Sequence, residues 1–413
     1  MTRNREEKTY AKLRKTKWAV DALVEIHKAS KVHHDAKLTN SSGLPTTHIK
    51  TILQKIVKLT NFNIESIWVF DNPKSYAEEK KDTMQKRKEL KIRNREKITK
   101  LNEEMKEMKE SFAELTVEEI NEIDPDYEET IKTLESNIAM LKSHNPTSSQ
   151  FGRYVKDTKF MLNCLGIRWI QAPAGYDAEQ IGAYMAMAGM VDGVKTNDPD
   201  CLLYGAPRML KQIHKKQAFY VYNIEDILSE HDISMNEFIQ IGVAMGSDFA
   251  PKIKGIGAKS VVRKIKKSTD DSELIRASAI NIIIHIKSQL GDDEKKLKIA
   301  DNYLETLNYI YMQDVNVLIS NFCKEVGYNY NKVEKLKLGK TIIQWTPKQI
   351  KAINVFQVEP LTEFKINSPE LTKESLGRLE RWLINDNDFN ISNTKKILNI
   401  YYGKLDQISH NST

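Results

Sequence analysis

The chain has 413 residues, of which 40% are hydrophobic, so it can bury the core of one large domain or of two ordinary domains. Its 63 Lys and Arg residues outnumber its 56 Asp and Glu residues, and the net charge of +7 favours polyanionic partners only mildly. No apolar run is long enough to span a bilayer and the first residues carry no secretory leader, so we expect no membrane partner.

The three cysteines lie far apart in the sequence. Cys164, Cys201 and Cys323 form no Cys-x-x-Cys pair and have no Cys/His ligand spacing. Neither a disulfide framework nor a structural zinc site is therefore indicated, and a reducing intracellular compartment is expected.

Residues 1–17 form a basic N-terminal extension with seven Lys or Arg, and short apolar segments follow it. The segments predicted as buried strands are 18–21, 66–71, 167–173 and 219–222. The segments with helical spacing between them are 47–59, 153–166 and 235–246. This alternation predicts an α/β fold with a mostly parallel central sheet flanked by helices, in which ligands bind beyond the carboxyl ends of the strands.

A charged insert interrupts this pattern at residues 76–150. Residues 80–100 contain ten basic and three acidic side chains, whereas 101–135 contain thirteen acidic and three basic ones. Such blocks are also typical of solvated helix faces. Apolar residues three and four apart predict one or two long amphipathic helices from about residue 80 to about residue 118. Asp124, Pro125 and Asp126 then break the pattern, and 143–150 is predicted as a linker or mobile loop.

Seven acidic residues stand at strand ends, in close pairs or, in one case, alone. They are Asp21, Asp71, Asp177, Glu179, Asp198, Asp200 and Asp248. Each acid or pair alone is typical of a helix cap or a turn. Gathered at one place, however, carboxylates repel one another unless cations neutralise them, and oxygen-only ligands suit Mg²⁺ or Mn²⁺. The acids therefore predict a site for two Mg²⁺ ions about 4 Å apart, in which Mn²⁺ can substitute.

A glycine turn lies between two helical segments after the last of these acids. Gly255, Ile256 and Gly257 precede a basic helix that carries Lys259 and Arg263. Free backbone N–H groups in such a turn can bind a DNA phosphate at a helix N-terminus. The alternative is an ordinary helix connection whose basic face is exposed.

Several segments resemble one family across roughly residues 17–270. They are AVDA, VFDN, LGIRWIQAP, DAEQ, TNDPDCLLYGA, SMNEFIQIGVAMGSDF and IKGIG. Their order resembles the flap endonuclease and xeroderma-pigmentosum-G group of structure-specific 5′ nucleases. The resemblance implies a PIN-like nuclease core with a helical arch insert and a helix-turn-helix GIG element that binds DNA. It also implies two-metal hydrolysis of branched or flapped DNA in replication, repair or recombination, which leaves a 5′-phosphate and a 3′-hydroxyl.

The resemblance assigns roles to individual residues of the acidic set. Asp21, Asp71, Asp177 and Glu179 would hold mainly the catalytic-side ion, and Asp198, Asp200 and Asp248 the other ion. Glu179 would bridge the two. The family usually has Glu where this chain has Asp177, which is shorter by one methylene. Altered metal preference is therefore expected first at Asp177.

Cations of the arch are assigned in the same way. Lys80 and Arg87 have the family's mutual spacing for side chains that point at the scissile phosphate, although Lys74 and Lys81 compete for the role of Lys80. His27 stands where the family often has a Tyr that stacks on a base. A histidine on a helix face is also commonly structural.

The sequence divides into six regions. They are the extension 1–17, a nuclease region 18–75, the arch or insert 76–150, a second nuclease region 151–250, the GIG element 251–290 and a C-terminal helical region 291–413. The last region carries no chemical motif that we recognise. The acidic half of the insert has no obvious family counterpart, and it either shields the arch or binds a partner.

Two groups of alternatives stay open at this point. A 5′–3′ exonuclease, a junction resolvase or an RNA-directed nuclease would share the same fold and metals, and a non-catalytic scaffold that binds branched DNA would share the fold. The expected partner is DNA with 5′ flaps, nicks or branches. No sliding-clamp motif is recognisable, a monomer is expected, and the sequence does not distinguish the nucleus from a viral or cytoplasmic site of DNA replication.

Overall fold

The computed structural model describes residues 5–31, 38–72, 80–144, 146–213, 216–255, 257–307, 315–329 and 346–410. Within these ranges no helix is both long enough and apolar enough to cross a membrane. The chain forms two compact units. The first comprises 1–231 together with 357–413, and the second comprises 232–356.

A seven-stranded sheet forms the centre of the first unit, in the order β1-β7-β6-β5-β2-β3-β4. Its strands are β1 Arg5–Thr9, β2 Lys17–Asp21, β3 Glu65–Phe70, β4 Trp169–Gln171, β5 Gly193–Lys195, β6 Arg208–Gln212 and β7 Ala218–Asn223. Strands β2 to β6 pair in parallel, whereas β7 pairs antiparallel with β6 and with β1. The predicted mostly parallel sheet is confirmed.

Helices flank the sheet and form the insert and the second unit. The helices of the first unit are α1 Ala22–Ser30, α2 Thr47–Asn61, α3 Lys81–Ser111, α4 Val117–Ile123, α5 Tyr127–His144, α6 Ser148–Cys164, α7 Ala178–Met187, α8 Asp200–Leu203, α9 Ile224–His231, α15 Lys373–Arg381 and α16 Ile391–His410. The helices of the second unit are α10 Met235–Met245, α11 Ala258–Lys287, α12 Glu294–Thr306, α13 Val315–Val326 and α14 Pro347–Phe356.

Alternate side chains of the strands enter two different cores. Trp68 and Phe70 of β3 pack with α1, α2 and α6 on one face of the sheet. Ile67 and Val69 of the same strand pack with α7 on the other face. Because successive side chains of a strand point to opposite faces, a strand buried on both faces reads as a continuous apolar run. The four predicted apolar segments correspond to β2, β3, β4 and β7, whereas β1, β5 and β6 were not predicted.

The charged insert is helical, as its apolar spacing predicts. Helix α3 packs against α5, and Lys109 Nζ lies 3.0 Å from Glu135 Oε1. The break at Asp124–Asp126 separates α4 from α5. The linker predicted at 143–150 is shorter than expected, because α5 continues to His144 and α6 begins at Ser148. Thr147 and Gln150 form a capping box that starts α6 within the predicted linker.

The basic segment 1–17 is more than an extension of the nuclease fold. Its residues Arg5–Thr9 form strand β1, which pairs with β7 at one margin of the sheet. Four of these five residues are charged, so the segment lacks the apolar run that predicts a buried strand. At the opposite margin, the short β4 exchanges two backbone hydrogen bonds with Asn367, at 3.0 and 2.8 Å.

Candidate active site

The acidic residues of the first unit follow the carboxyl ends of four neighbouring strands. Asp21 is the last residue of β2, and Asp71 directly follows β3. The segment after β4 leads to Asp177 and Glu179, and the segment after β5 leads to Asp198 and Asp200. Since these strands are parallel and adjacent in the sheet, their carboxyl ends share one edge.

Asp21 begins helix α1 and is almost fully buried. Its Oδ1 accepts a hydrogen bond of 3.0 Å from the backbone N–H of Val24, and its Oδ2 accepts one of 3.1 Å from the hydroxyl of Thr196. Burial raises the pKa of Asp21, although these hydrogen bonds and one with Glu179 lower it. Asp21 therefore lies at the junction of α1, α7 and the segment after β5.

Asp71 is held by the beginning of helix α7. Its Oδ1 accepts a hydrogen bond of 2.6 Å from the backbone N–H of Ala178. The pKa of Asp71 is raised to about 7, by burial first and also by the charges of Asp21 and Asp177, against the lowering effects of the Ala178 hydrogen bond and Lys80. The carboxylates are thus close enough to oppose one another's ionisation.

Glu179 lies in the first turn of α7. Burial raises the pKa of Glu179 well above its ordinary value, and the charges of Asp21, Asp71 and Asp198 raise it further. Four of the predicted ligands, which follow β2, β3, β4 and β5, therefore act electrostatically on one another.

The Asp198 and Asp200 pair forms a compact turn. Asp198 Oδ1 accepts a hydrogen bond of 3.0 Å from the backbone N–H of Asp200, which is the first residue of α8. The buried thiol of Cys201 follows. Burial raises the pKa of the Cys201 thiol well above its ordinary value, and the charges of Glu179, Asp198, Asp200 and Asp21 raise it further. Both members of the pair therefore lie beside the same set of acids.

Asp177, the shortened ligand, contacts a cation. Lys80 Nζ donates a hydrogen bond of 2.6 Å to Asp177 Oδ2, and both side chains are largely buried. Lys80 is thus placed at the carboxylate cluster, as its predicted role requires. Of its competitors, Lys74 lies outside the described residues. Lys81 begins α3, and its side chain is not described.

The donor set suits a hard divalent cation. Among the residues that the structure describes, no three His, Cys, Asp or Glu side chains already form a metal-binding group, and hydrogen bonds from the protein hold the carboxylates of Asp21, Asp71 and Asp177. All six acids can nevertheless offer carboxylate oxygens to a metal ion. The raised pKa values of Asp71 and Glu179 indicate that negative charges lie close together. A divalent cation relieves such crowding, so these residues fit the predicted metal.

The seventh acid belongs to the second unit. Asp248 is half-buried in the turn after α10, where Ser247 N–H donates a hydrogen bond of 3.0 Å to the Ala250 carbonyl. Its assignment as a metal ligand stays a prediction.

The second unit contains the predicted helix-turn-helix. Helices α10 and α11 pack through Ala244, Val261 and Ile265. Between them Gly255 has φ +76°, which only glycine adopts readily, and Gly257 caps α11. Lys259 and Arg263 are exposed on the first turns of α11, and Ile256 lies outside the described residues. The element is present, and its DNA contacts stay a prediction.

His27 lies on the exposed face of α1. Its ring stacks on Phe151 with 4.2 Å between ring centroids. The pKa of His27 is lowered to about 4, by partial burial first and also by the charges of Lys31, Lys91 and Arg87. The ring is therefore neutral at physiological pH, and Arg87 of the insert lies near it. Base stacking by His27 is not tested by these contacts.

Sequence reasoning missed three residues behind the acids. Thr196 links two of them, because its hydroxyl donates to Asp21 and accepts from the backbone N–H of Asp198 at 3.1 Å. Glu25 and Lys195 form a buried pair at 2.8 Å. The sequence offered one signal for this pair, because each residue is a charge inside an apolar segment. Glu25 lies one helical turn after Asp21, and Lys195 lies three residues before Asp198.

Two family models match this chain. The XPG N-terminal domain matches residues 3–94, and the XPG I-region matches residues 166–248. The first match begins within the predicted extension, and together the two matches contain all six acids of the first unit.

Curated relatives of the chain are Flap endonuclease 1 proteins. The protein of Methanocaldococcus jannaschii is 26% identical over 336 residues, which cover 79% of this chain and 89% of the relative. The protein of Cryptosporidium parvum is 31% identical over 265 residues, which cover 60% of this chain and 46% of the relative.

Solved structures share the fold. The catalytic core of Rad2 in complex with DNA substrate is similar with a TM-score of 0.54 and 18% identity, over 96% of both chains. Flap endonuclease-1 from Methanococcus jannaschii is similar with a TM-score of 0.50 and 21% identity, over 97% of this chain and 95% of the other. The α/β fold of this chain is therefore shared with these two proteins.

Proposed function

The chain belongs to the XPG and flap endonuclease family of structure-specific 5′ nucleases, and on that premise we propose that it hydrolyses branched or flapped DNA by a two-metal mechanism. The observation that carries the proposal is that six carboxylates follow the carboxyl ends of adjacent parallel strands, where burial and neighbouring charge raise the pKa values of Asp71 and Glu179. Acids that only capped helices would not be gathered in this way.

Two Mg²⁺ ions are the proposed cofactors, with Mn²⁺ as a substitute. Asp21, Asp71, Asp177 and Glu179 would hold one ion and Asp198 and Asp200 the other, while Asp248 is assigned to the second ion from its sequence pattern alone. Bound divalent ions would polarise the phosphodiester and offset the charge that develops during hydrolysis. The products would carry a 5′-phosphate and a 3′-hydroxyl.

The residues of the chain supply positioning around these ions. Lys80 is held at the carboxylate cluster by Asp177, so its ammonium group is available to a phosphoryl oxygen that approaches the same acids. Arg87 follows seven residues later on α3, near His27. We propose that these two cations contact the reacting phosphate and that His27 stacks on a neighbouring base.

The helix-turn-helix of the second unit is the proposed duplex-binding element. Gly255 and Gly257 have no other atoms within 4 Å of the place where a Cβ would lie, so a phosphate can approach the backbone closely. Lys259 and Arg263 supply exposed positive charge on the following helix. Such contacts bind duplex DNA without reading its sequence.

The proposed setting is intracellular DNA replication, repair or recombination, in the nucleus or at another site of DNA synthesis. The proposed active form is a monomer that acts without a sliding-clamp motif of its own. DNA with 5′ flaps, nicks or branches is the proposed substrate class.

Cleavage of a 5′-labelled flap substrate tests the proposal. Asp71→Asn and Asp198→Asn should each abolish cleavage in Mg²⁺, because each removes a charged ligand, while flap binding in Ca²⁺ stays nearly unchanged. Asp126→Asn, which alters an exposed acid between α4 and α5, is the matched control and should cut normally. Full cleavage by both ligand variants would overturn the proposal.

A substrate panel defines the activity further. Flaps, nicks, four-way junctions and RNA ends should be compared at equal concentrations, and the flap should be cut fastest. Faster cleavage of another substrate of the panel than of the flap would place the chain among the exonucleases, resolvases or RNA-directed enzymes. A wild-type protein that binds flaps but cuts no member in Mg²⁺ or Mn²⁺ would instead be a scaffold.

A further inference from the structure

A buried carboxylate with three lysines lies one helical turn beyond Asp21. The side chain of Glu25 on α1 is only 1% exposed. Its Oε1 accepts hydrogen bonds from Lys195 Nζ at 2.8 Å and Lys28 Nζ at 3.1 Å, and its other oxygen contacts Lys55. We call these four residues the Glu25 cluster.

The cluster holds more positive charge than Glu25 needs. One carboxylate faces three ammonium groups, which leaves two positive charges without a carboxylate inside the cluster. The side chain of Lys195 is 6% exposed, and those of Lys28 and Lys55 are 29% and 21% exposed. Desolvating charges is costly, and apolar residues of similar size often stabilise a fold at least as well. Stability alone therefore does not account for this arrangement.

The cluster is connected to the candidate metal ligands on two sides. Glu25 lies on the helix that Asp21 begins. Lys195 ends β5 and is followed by Thr196, whose hydroxyl donates to Asp21 and accepts from the N–H of Asp198. The Lys195–Glu25 bond therefore joins the helix of one acid to the strand that leads to another.

The cluster also acts on the acids electrostatically. The charge of Glu25 is among the causes that raise the pKa of Asp21, whose largest cause is burial. The three lysines hold the pKa of Glu25 well below its ordinary value despite burial, so Glu25 is ionised at neutral pH. Fixed charges at this position therefore contribute to the potential at the carboxyl edge.

We propose that the Glu25 cluster positions Asp21 and the Asp198 segment and, through its excess positive charge, limits the affinity of the carboxylates for divalent cations. The inference rests on the proposed function, because it assigns metal binding to those carboxylates. Glu25 and its lysines are positioning residues, since they act through Asp21 and Thr196.

The proposal predicts opposite effects for opposite charges. Glu25→Gln removes a negative charge near Asp21 and should weaken binding of Mn²⁺ by about three- to tenfold, as expected for charges separated by partly shielded protein. Lys195→Met removes a positive charge and should strengthen binding by a similar factor. The double variant Glu25→Gln/Lys195→Met should return near the wild-type affinity. A loss of packing alone would weaken binding in both single variants.

Calorimetric titration with Mn²⁺ alone measures these affinities without DNA and without turnover. Lys28→Gln and Lys55→Gln alter partly exposed side chains and should also strengthen binding, so they test the proposal even if Glu25→Gln does not fold. Lys50→Gln, on the same helix as Lys55 but outside the cluster, is the matched control and should bind as the wild type does.

The titration separates this inference from the proposed function. A wild-type chain that binds no Mn²⁺ contradicts metal binding by the carboxylates, and with it both proposals. If the wild type binds Mn²⁺ but Glu25→Gln and Lys195→Met change the Mn²⁺ affinity in the same direction, the proposed role of the Glu25 cluster is overturned and the proposed function is not. Affinity changes in opposite directions that cancel in the double variant support the role of the cluster.

Discussion

Lys80 and Asp177 form a hydrogen bond of 2.6 Å between the residue that precedes α3 and the residue that precedes α7. The bond connects the start of the charged insert to one of the predicted metal ligands. Asp177 is shorter by one methylene than the Glu expected there, so its carboxylate reaches less far. The same lysine can then serve a substrate phosphate once a metal ion competes for Asp177.

Lys80→Met tests that double role. Loss of the ammonium group should lower kcat for flap cleavage by roughly 10²-fold, the usual effect of removing one group that stabilises transition-state charge. Binding of Mn²⁺ should not weaken, because a competing cation has been removed from Asp177.

Single-turnover cleavage and Mn²⁺ titration measure the two effects. Lys88→Met, which alters an exposed lysine of the same helix, is the control and should retain activity. Weaker Mn²⁺ binding together with an unchanged kcat would contradict the assignment of Lys80.

Without metal ions, the carboxylate cluster should make the fold less stable as the pH rises. The pKa of Asp71 is raised to about 7 by burial and neighbouring charge, so between pH 4 and pH 7 the folded state binds more protons than the unfolded state. Stability is thus fully present below the unfolded pKa and is lost as the pH rises through the folded pKa. The loss should be on the order of 1 to 3 kcal/mol.

Urea unfolding in EDTA between pH 5 and pH 7.5 measures this slope. Asp71→Asn should flatten it, and Mg²⁺ should restore stability to the wild type at pH 7.5. An Asp71→Asn variant whose free energy of unfolding in EDTA depends on pH as that of the wild type does would rule out the proposed crowding of the acids.

The carboxyl edge of the sheet could be predicted because the ends of strands are recognisable from short stretches of sequence. An acid after an apolar run marks a strand end, and parallel strands bring such ends together, so Asp21 and Asp71 could be grouped without coordinates, whereas Asp198 was added because it pairs with Asp200 and through the family resemblance. Strand β1 could not be predicted in this way, because its residues are charged and its only support is pairing with β7, more than 200 residues away. The Glu25 and Lys195 pair was hidden for the same reason, since their 2.8 Å contact joins positions 170 apart.

The GIG element should bind DNA through phosphates. Lys259→Gln and Arg263→Gln should each weaken duplex binding several-fold and reduce the slope of log affinity against log salt by about one, as expected for the loss of one phosphate contact. Lys295→Gln, an exposed lysine of α12, is the control within the same unit. Fluorescence anisotropy at several salt concentrations measures the slope, and an unchanged slope in both variants would exclude these contacts.

Substitution of two glycines by alanine should have opposite effects on the free energy of unfolding. A Cβ at Gly193 would lie 2.7 Å from the Trp18 ring and 2.9 Å from the Arg208 Cβ, so Gly193→Ala should lower the free energy of unfolding by about 1 to 3 kcal/mol. A Cβ at Gly403, on an exposed position of α16, would have no other atoms within 4 Å. Gly403→Ala should therefore raise the free energy of unfolding by about 0.5 to 1 kcal/mol.

Urea denaturation of both variants checks the signs. Because the two substitutions add the same methyl group, the difference between them isolates the effect of local space. An equal response of the two variants would contradict the close packing at Gly193.

The two margins of the sheet have a consequence for association between copies. An open strand edge presents unpaired N–H and C=O groups that can recruit a strand from another chain. Here four of the five residues of the outermost strand β1 are charged, and β4 is only three residues long with Asn367 hydrogen-bonded beside it. Neither margin of the described sheet offers a long apolar strand, so strand-to-strand aggregation between copies of the chain is disfavoured even at high local concentration.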